Sequence, residues 1–273
     1  MRPLLKLIRP VNCLISSFSI PIVMITLFGL GFLEQDILYI TVLGMSIVFF
    51  YTAAGNSLND YMDRETDEIN HPERPIPSGD ITPEKTIVFS GILFAIGLIL
   101  SFLLDPWLPQ IIVILAVILM IMYEVKFKKQ GLVGNLIISL LTGMVFLFGG
   151  SIYGELELPA LLGLLAFFAT GGREIIKDIQ DLEGDLDRKT FPMIVGPKKA
   201  EYTAVSFIVL GVIFSPIPFI LGLFSIYYLI VVLLANGIFI YSLLLLKSPA
   251  KSQKFIKVAM VVALIAFLIG GLT

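Results

Sequence analysis

The chain has a single cysteine, Cys13, and a single histidine, His71. One cysteine cannot form an intramolecular disulfide, so the cysteine content leaves the redox compartment open. One cysteine and one histidine, far apart in the sequence, also exclude a catalytic dyad or a zinc site built from these residue types. We expect Cys13 to pack as a small apolar residue and His71 to lie in a loop.

Charged residues are also scarce: they make up 15% of the 273 residues, whereas hydrophobic residues make up 57%. A soluble domain of this length does not need so large an apolar fraction. The composition indicates an all-α, polytopic membrane protein, because helices satisfy their own backbone hydrogen bonds in lipid. We therefore expect the lipid bilayer as its surroundings and no nucleic acid as a partner.

Apolar runs of about 17–25 residues predict nine transmembrane helices. Their predicted ranges are 12–31, 38–58, 84–104, 107–125, 132–152, 158–176, 201–221, 224–246 and 254–272. The nine spans together predict one intramembrane domain that covers residues 1–273.

When these spans alternate across the membrane from the N-terminus, all 19 Lys and Arg residues fall on one side. The charges of the opposite side are Glu34, Asp36, Asp105, Glu155 and Glu157. By the positive-inside rule, the side with Lys and Arg is cytoplasmic. The pattern thus predicts a multi-pass cell-membrane protein with a cytoplasmic N-terminus.

Two aspartate-rich runs follow the second and sixth predicted spans, both on the cytoplasmic side. Their members are Asn59, Asp60, Asp63 and Asp67 in the first motif, and Asp178, Asp181 and Asp185 in the second. Asn59, Asp63 and Asp67 are four residues apart, so we expect them to share one helical face. Asp178, Asp181 and Asp185 stand at i, i+3 and i+7, which again predicts a single face. At ~5 Å and an effective dielectric of about 20, each like-charge pair costs roughly 3 kcal/mol.

Divalent cations relieve this repulsion, and Mg²⁺ is typically held by carboxylates together with substrate phosphates. We interpret the motifs as Mg²⁺ sites that grip a diphosphate, and all seven residues as catalytic candidates. The candidate metal ligands are Asn59, Asp63, Asp67, Asp178, Asp181 and Asp185. A solvated acidic helix end would account for residues such as Glu65 and Glu68, but not for two motifs of matching spacing.

Cations suited to phosphate lie within and between the motifs, namely Arg64, Arg74, Arg173 and Lys177. Arg can hold phosphate in a bidentate fork, whereas Lys acts as a point charge. The positive-inside rule alone would also place cations at these edges, but Arg64 and Arg173 are interleaved with the carboxylates. The proline-rich stretch 72–79 is expected to be extended and stiff, as a loop that caps a site.

The pattern resembles the UbiA superfamily of intramembrane prenyltransferases over nearly the whole chain. The resemblance implies that the seven motif residues bind the Mg²⁺–diphosphate of a prenyl donor. That family also carries a Tyr-x-x-x-Lys element after its fourth span. Here Tyr123 is followed by Lys126 and Lys128, so the match is off by one residue and either lysine could bind diphosphate.

Segments 59–79 and 172–185 look most like an archaeal subgroup of that superfamily. This resemblance implies transfer of a geranylgeranyl group to the lipid-like hydroxyl acceptor geranylgeranylglyceryl phosphate, in membrane ether-lipid synthesis. The alternative is an aromatic acceptor of the 4-hydroxybenzoate, homogentisate or naphthoate type, in quinone synthesis. An acceptor phosphate would need a further cation, and Arg9 at the start of span one is a candidate.

The chemistry expected of such a site is loss of diphosphate to give a prenyl carbocation, which must be kept from water. We therefore expect the nine helices to enclose a central, lipid-accessible cavity capped by cytoplasmic loops. A transporter would instead place acidic residues near the centres of the spans, which are almost free of them. A structural protein regulated by Mg²⁺ or Ca²⁺ would not need a lipid-sized cavity.

Overall fold

The structure is a computed structural model that describes residues 2–105, 107–182 and 189–273. In these ranges it is helical, and its only β-type pairing is an isolated bridge between Gln130 and Lys189. The described α-helices are α1 Arg2–Ile8, α2 Pro10–Ser17, α3 Ser19–Phe28, α4 Gln35–Met62, α5 Arg64–Asn70, α6 Pro83–Ser101, α7 Leu108–Val125, α8 Leu132–Ser151, α9 Glu157–Gln180, α10 Phe191–Val195, α11 Pro197–Phe214, α12 Ile217–Ile220, α13 Ile226–Leu244 and α14 Pro249–Leu272.

Within the described residues, nine helical segments are long and apolar enough to cross a membrane, which confirms the prediction of nine spans. In order, spans one to nine are Pro10–Leu33, Gln35–Met62, Pro83–Ser101, Leu108–Val125, Leu132–Ser151, Glu157–Gln180, Pro197–Ile220, Ile226–Leu244 and Pro249–Leu272. Spans two and six each extend four residues beyond the predicted end, to Met62 and Gln180. Both aspartate motifs therefore begin on a transmembrane helix.

Small residues allow spans five and six to pack backbone against backbone. A Cβ atom added to Gly143 would lie 2.7 Å from the carbonyl oxygen of Gly163, and the reverse distance is also 2.7 Å. Close approach through small residues is the usual way in which helices associate in lipid. This contact holds span five, which carries Asn135, against span six, which carries Asp178.

An apolar cavity of about 190 Å³ lies among spans one and five to nine. Its lining includes Thr142 and Phe146 of span five, Leu165 of span six and Phe267 of span nine. Ile15 of span one also lines it and is 61% exposed. The predicted cavity among the helices is therefore present.

The proline-rich stretch 72–79 is not extended, so that prediction was wrong. Its backbone forms successive turns, in which the Arg74 N–H donates to the His71 carbonyl oxygen at 3.0 Å and the Ser78 N–H to the Arg74 carbonyl oxygen at 2.9 Å. The fixed φ of proline suits turns as well as extended chain. His71 lies in this loop, as expected, and hydrogen bonds from the Glu73 backbone and from His71 lower the pKa of the Glu73 carboxyl.

Candidate active site

The first motif spans the end of a transmembrane helix and the start of a short one. Asp63 separates α4 from α5, with φ −90° and ψ 3°. The helical hydrogen bonds continue across this junction, because the Asp63 N–H donates to the Asn59 carbonyl oxygen at 2.9 Å and the Asp67 N–H to the Asp63 carbonyl oxygen at 2.8 Å. The motif residues therefore keep their helical spacing beyond the break.

Two arginines neutralise the buried carboxylates of this motif. Asp60 and Asp67 are 3% and 4% exposed. Arg74 Nη1 lies 2.6 Å from Asp67 Oδ2 and 3.8 Å from Asp60 Oδ1, and Arg9 also donates to Asp60. A buried carboxylate without such partners would be strongly destabilising. The structure thus brings both Arg74 and Arg9 to the first motif.

The backbone of Arg9 is strained, which indicates that the position of its side chain is functionally important. Its φ of 51° makes it the one residue other than glycine with positive φ in the described part of the chain. Left-handed backbone costs an ordinary residue roughly 1–2 kcal/mol, and such strain tends to occur at functional sites. Here the strained turn between α1 and α2 directs the guanidinium group to Asp60.

Lys128 connects the first motif to span four. Its ammonium group lies 2.6 Å from Asp63 Oδ2 and 3.0 Å from Glu124 Oε2. Asn59 also donates to Glu124, at 3.0 Å. Lys126 is exposed, with its ammonium group 5.7 Å from the centre of the Phe127 ring. Of the two lysines that the sequence left open, Lys128 is therefore the one at the first motif.

The second motif begins in the last turn of span six. Asp178 accepts a hydrogen bond from Asn135 Nδ2 at 2.9 Å, and Asp181 directly follows the helix, with its N–H donating to the Lys177 carbonyl oxygen at 2.9 Å. Asp185 lies outside the described residues. Arg173 pairs with Glu174, and the Lys177 ammonium group lies 3.7 Å from the same carboxylate.

A small polar cavity of about 20 Å³ lies beside the second motif. Lys128, which holds Asp63, lines this cavity together with Tyr123, Lys177 and Asp178. Asn135 also lines it, and Thr142 of the apolar cavity follows seven residues later on span five. Ile138 lines the polar cavity as well and is four residues before Thr142. At a helical rise of about 1.5 Å per residue, the two cavities therefore approach to within about 6 Å along span five.

The contacts of Arg64 are with its sequence neighbours Tyr61 and Glu65 rather than with the aspartates of the motif. Its guanidinium group lies 4.8 Å from the centre of the Tyr61 ring, donates to the Tyr61 carbonyl oxygen at 2.9 Å and to Glu65 Oε1 at 3.2 Å. Its role in diphosphate binding stays a prediction.

The donor atoms of this site suit Mg²⁺ in chemical type. They are carboxylate and amide oxygens, the hard ligands that Mg²⁺ prefers. In the described residues, no group of three or more His, Cys, Asp or Glu side chains is arranged to hold a metal ion. Arg74 instead pairs with Asp60 and Asp67, and Lys128 pairs with Asp63. A metal ion at these carboxylates would therefore share them with the two basic side chains or displace those side chains.

Comparison with known proteins matches residues 19–268 to the UbiA prenyltransferase family. This chain belongs to that family. It is 40% identical over 280 residues to digeranylgeranylglyceryl phosphate synthase of Methanosphaera stadtmanae, with 100% of both chains covered. It is 41% identical over 287 residues to the synthase of the same name of Methanosarcina barkeri, with 99% and 98% covered.

Two solved structures extend the comparison of this UbiA family member. A structure of digeranylgeranylglyceryl phosphate synthase is 38% identical, with a TM-score of 0.84 and coverage of 99% and 98%. A UbiA homologue from Archaeoglobus fulgidus, bound to GPP and Mg²⁺, is 22% identical, with a TM-score of 0.72 and coverage of 96% and 99%. The latter likeness concerns the fold alone. The resemblance drawn from the aspartate motifs is thereby confirmed.

Two site residues of this UbiA family member were missed by the sequence reasoning. Glu124 is 8% exposed and bridges Asn59 and Lys128, and Asn135 is 7% exposed and holds Asp178. Both are polar residues near the ends of otherwise apolar spans. A polar residue within an apolar span is a functional candidate by default. The sequence therefore contained a signal for both residues.

Proposed function

We propose that this protein transfers a geranylgeranyl group from its diphosphate to the free hydroxyl of geranylgeranylglyceryl phosphate, in archaeal ether-lipid synthesis. The observation that carries this proposal is that Lys128 links the first motif to the polar cavity at the second motif. Lys128 binds Asp63 and lines one polar cavity with Asp178. Along span five this cavity approaches the apolar cavity to within about 6 Å. This arrangement suits a substrate with an anionic head and an apolar tail. Two relatives of about 40% identity over the full length carry the corresponding name.

In this proposal the oxygen atoms of both motifs hold Mg²⁺. The proposed ligands are Asn59, Asp63, Asp67, Asp178, Asp181 and Asp185. Mg²⁺, when bound, supplies positive charge that stabilises the leaving diphosphate. The structures of the Archaeoglobus fulgidus homologue with prenyl diphosphates and Mg²⁺ support this cofactor.

In this proposal, Lys128 and Arg74 have different partners before and after the substrate binds. Before substrate binds, Lys128 and Arg74 neutralise Asp63, Asp60 and Asp67. With Asp63 and Asp67 holding Mg²⁺, Lys128 and Arg74 would be available to donate hydrogen bonds to the diphosphate oxygens. Hydrogen-bond donors aimed at a leaving group lower the barrier by stabilising the charge that develops on it. Further proposed diphosphate contacts come from Arg64, Tyr123, Arg173 and Lys177, with Lys128 preferred to Lys126.

The acceptor needs a place for its own phosphate. We assign this role to Arg9, whose side chain is 32% exposed and lies at the start of span one beside Asp60. The acceptor hydroxyl then attacks the prenyl cation, and its proton passes to the released diphosphate or to an aspartate. The apolar cavity keeps water from the cation. In this proposal both motifs face the cytoplasm.

An acceptor panel tests the proposed function. The purified protein is incubated with radiolabelled geranylgeranyl diphosphate and Mg²⁺, separately with geranylgeranylglyceryl phosphate, 4-hydroxybenzoate and homogentisate, and the products are identified by mass spectrometry. We expect the doubly alkylated glyceryl phosphate and no prenylated aromatic product, with Asp181→Asn as the inactive control. A prenylated aromatic acid without the lipid product would refute the acceptor assignment.

A further inference from the structure

Thr190 carries a hydroxyl group that the fold buries without giving it a partner. Thr190 is 3% exposed, and its Oγ1 atom has no hydrogen-bond partner among the residues that the structure describes. Burying a hydroxyl without a hydrogen bond is unfavourable, and such groups are rare enough that each calls for an explanation. The position of Thr190 supplies one.

Thr190 occupies the N-cap position of α10, where a threonine side chain usually caps the helix. It precedes α10, and its carbonyl oxygen accepts hydrogen bonds from the N–H groups of Met193 at 3.1 Å and Ile194 at 3.3 Å. A threonine side chain at such an N-cap usually accepts a hydrogen bond from the first turn of the helix. The Thr190 side chain makes no such bond. Capping therefore does not explain its hydroxyl group.

Thr190 belongs instead to the lining of the polar cavity beside the second aspartate motif. The other charged and amide residues of this lining are Lys128, Asn135, Glu174, Lys177 and Asp178. The cavity volume of about 20 Å³ is close to what one water-sized group requires. A single oxygen atom of a larger anion fits such a space, whereas the whole anion does not.

The loop that carries Thr190 is fixed against span five. The Gly131 N–H donates to the Lys189 carbonyl oxygen at 3.0 Å. Gly131 has a φ of +56°, and a Cβ atom there would lie 2.7 Å from Ile194 Cδ1 and 3.3 Å from Phe191 Cα. Glycine thus allows the two segments to pair, and this pairing holds Thr190 in place as a preorganised contact.

We propose that the Thr190 hydroxyl donates a hydrogen bond to an oxygen atom of the donor diphosphate bound between the two motifs. A phosphate oxygen can only accept, whereas a hydroxyl group can donate. Two basic residues, Lys128 and Lys177, line the same cavity together with the acidic residues Glu174 and Asp178. This inference rests on the proposed function, and it adds a binding residue from the second cytoplasmic loop.

The test compares Thr190→Val, which removes the hydroxyl at nearly constant shape, with Thr190→Ser, which keeps it. Thr170→Val is the matched control, because Thr170 is 2% exposed and its hydroxyl also lacks a partner in the described residues, but it is not part of the cavity lining. Purified full-length protein is titrated with Mg²⁺ and inorganic diphosphate, and in a separate arm with glycerol 1-phosphate. Binding is followed by calorimetry and by the shift in Tm.

We expect Thr190→Val to weaken diphosphate binding roughly 10- to 100-fold, the range for a lost hydrogen bond to a charged group. Its Tm without ligand should equal or exceed that of the wild type, because an unpartnered hydroxyl is removed. Thr190→Ser and Thr170→Val should bind diphosphate like the wild type. The KM for prenyl diphosphate should rise in Thr190→Val in the same proportion.

Diphosphate binding by Thr190→Val at wild-type strength would overturn the inference, as would a Tm well below that of the wild type without ligand. Weakening by Thr190→Ser equal to that by Thr190→Val would overturn it too, since shape rather than the hydroxyl would then be responsible. A loss confined to glycerol 1-phosphate would assign the hydroxyl to the acceptor and refute the proposal. A wild-type protein that bound no Mg²⁺–diphosphate would instead refute the proposed function itself.

Discussion

Lys128 and Lys126 lie two residues apart in the segment between spans four and five, and the structure predicts very different consequences of replacing them by methionine. The Lys128 side chain is 9% exposed and contacts Asp63 at 2.6 Å and Glu124 at 3.0 Å. Lys126 is exposed and contacts the face of the Phe127 ring. Methionine keeps most of the aliphatic stem in both cases, so the comparison isolates the charge.

The expected loss follows from the burial of the two carboxylates. Removing one partner of a buried ion pair costs about 3–5 kcal/mol. The Glu124 side chain is 6% exposed and Asp63 is 30% exposed, so solvent screens part of the effect and we expect the lower end, about 3 kcal/mol. For Lys126→Met we expect at most about 1 kcal/mol, the range for an exposed cation–π contact.

Thermal unfolding in detergent measures both losses. At about 2–4 °C per kcal/mol, Lys128→Met should lower Tm by roughly 6–12 °C, and Lys126→Met by no more than about 4 °C. Added Mg²⁺ should restore part of the loss in Lys128→Met, because the freed carboxylates are oxygen ligands. Equal Tm values for the two variants would refute the placement of Lys128 between the motif and span four.

Two further predictions concern the metal and the topology. Activity should vanish in EDTA and return with Mg²⁺, and Asp63→Ala and Asp181→Ala should each reduce kcat at least roughly 100-fold, the scale of losing a major electrostatic stabiliser; full activity in EDTA, or near-normal turnover by Asp181→Ala, would disprove the metal assignment. Cysteines introduced at Arg64 and Lys199 should react with impermeant reagents only from the cytoplasmic side, and one at Glu155 only from the other side, since all Lys and Arg fall on one side of the predicted topology. Labelling of the Lys199 and Glu155 positions from the same face would contradict it.

The fold could be predicted from the sequence because the bilayer imposes a simple rule. A span needs about 20 apolar residues, and the one-sided distribution of Lys and Arg checks the count independently. The helix breaks inside span one, near Phe18 and Gly29, lie within the predicted span 12–31. Hydropathy alone therefore could not reveal them.

The site was predictable where spacing along one helix decides which residues share a face. The spacing of Asn59, Asp63 and Asp67 survives in the structure through the hydrogen bonds across Asp63. The ion-pair partners were not predictable in the same way, because they join distant segments. Arg9 is 51 residues from Asp60, and Lys128 is 65 residues from Asp63. Only the packing of the helices decides such contacts.

The loops were least predictable, because proline permits more than one conformation. The stretch 72–79 contains prolines that suit either an extended chain or turns, and hydrogen bonds from Arg74 and Ser78 select the turns. Thr190 carries no distinctive spacing in the sequence. Its position in the polar cavity depends on the pairing of Gln130 with Lys189 and on the space left at Gly131.

The position of a bound divalent cation tests the two-motif site most directly. A crystal structure with a non-hydrolysable prenyl diphosphate analogue, and with Mn²⁺ in place of Mg²⁺, would locate the metal by anomalous diffraction. We predict Mn²⁺ on the carboxylates of both motifs, at Asp63 and Asp67 and at Asp178 and Asp181, with the diphosphate between them. A diphosphate held by Arg and Lys alone, with Mn²⁺ on neither motif or on only one, would contradict the account.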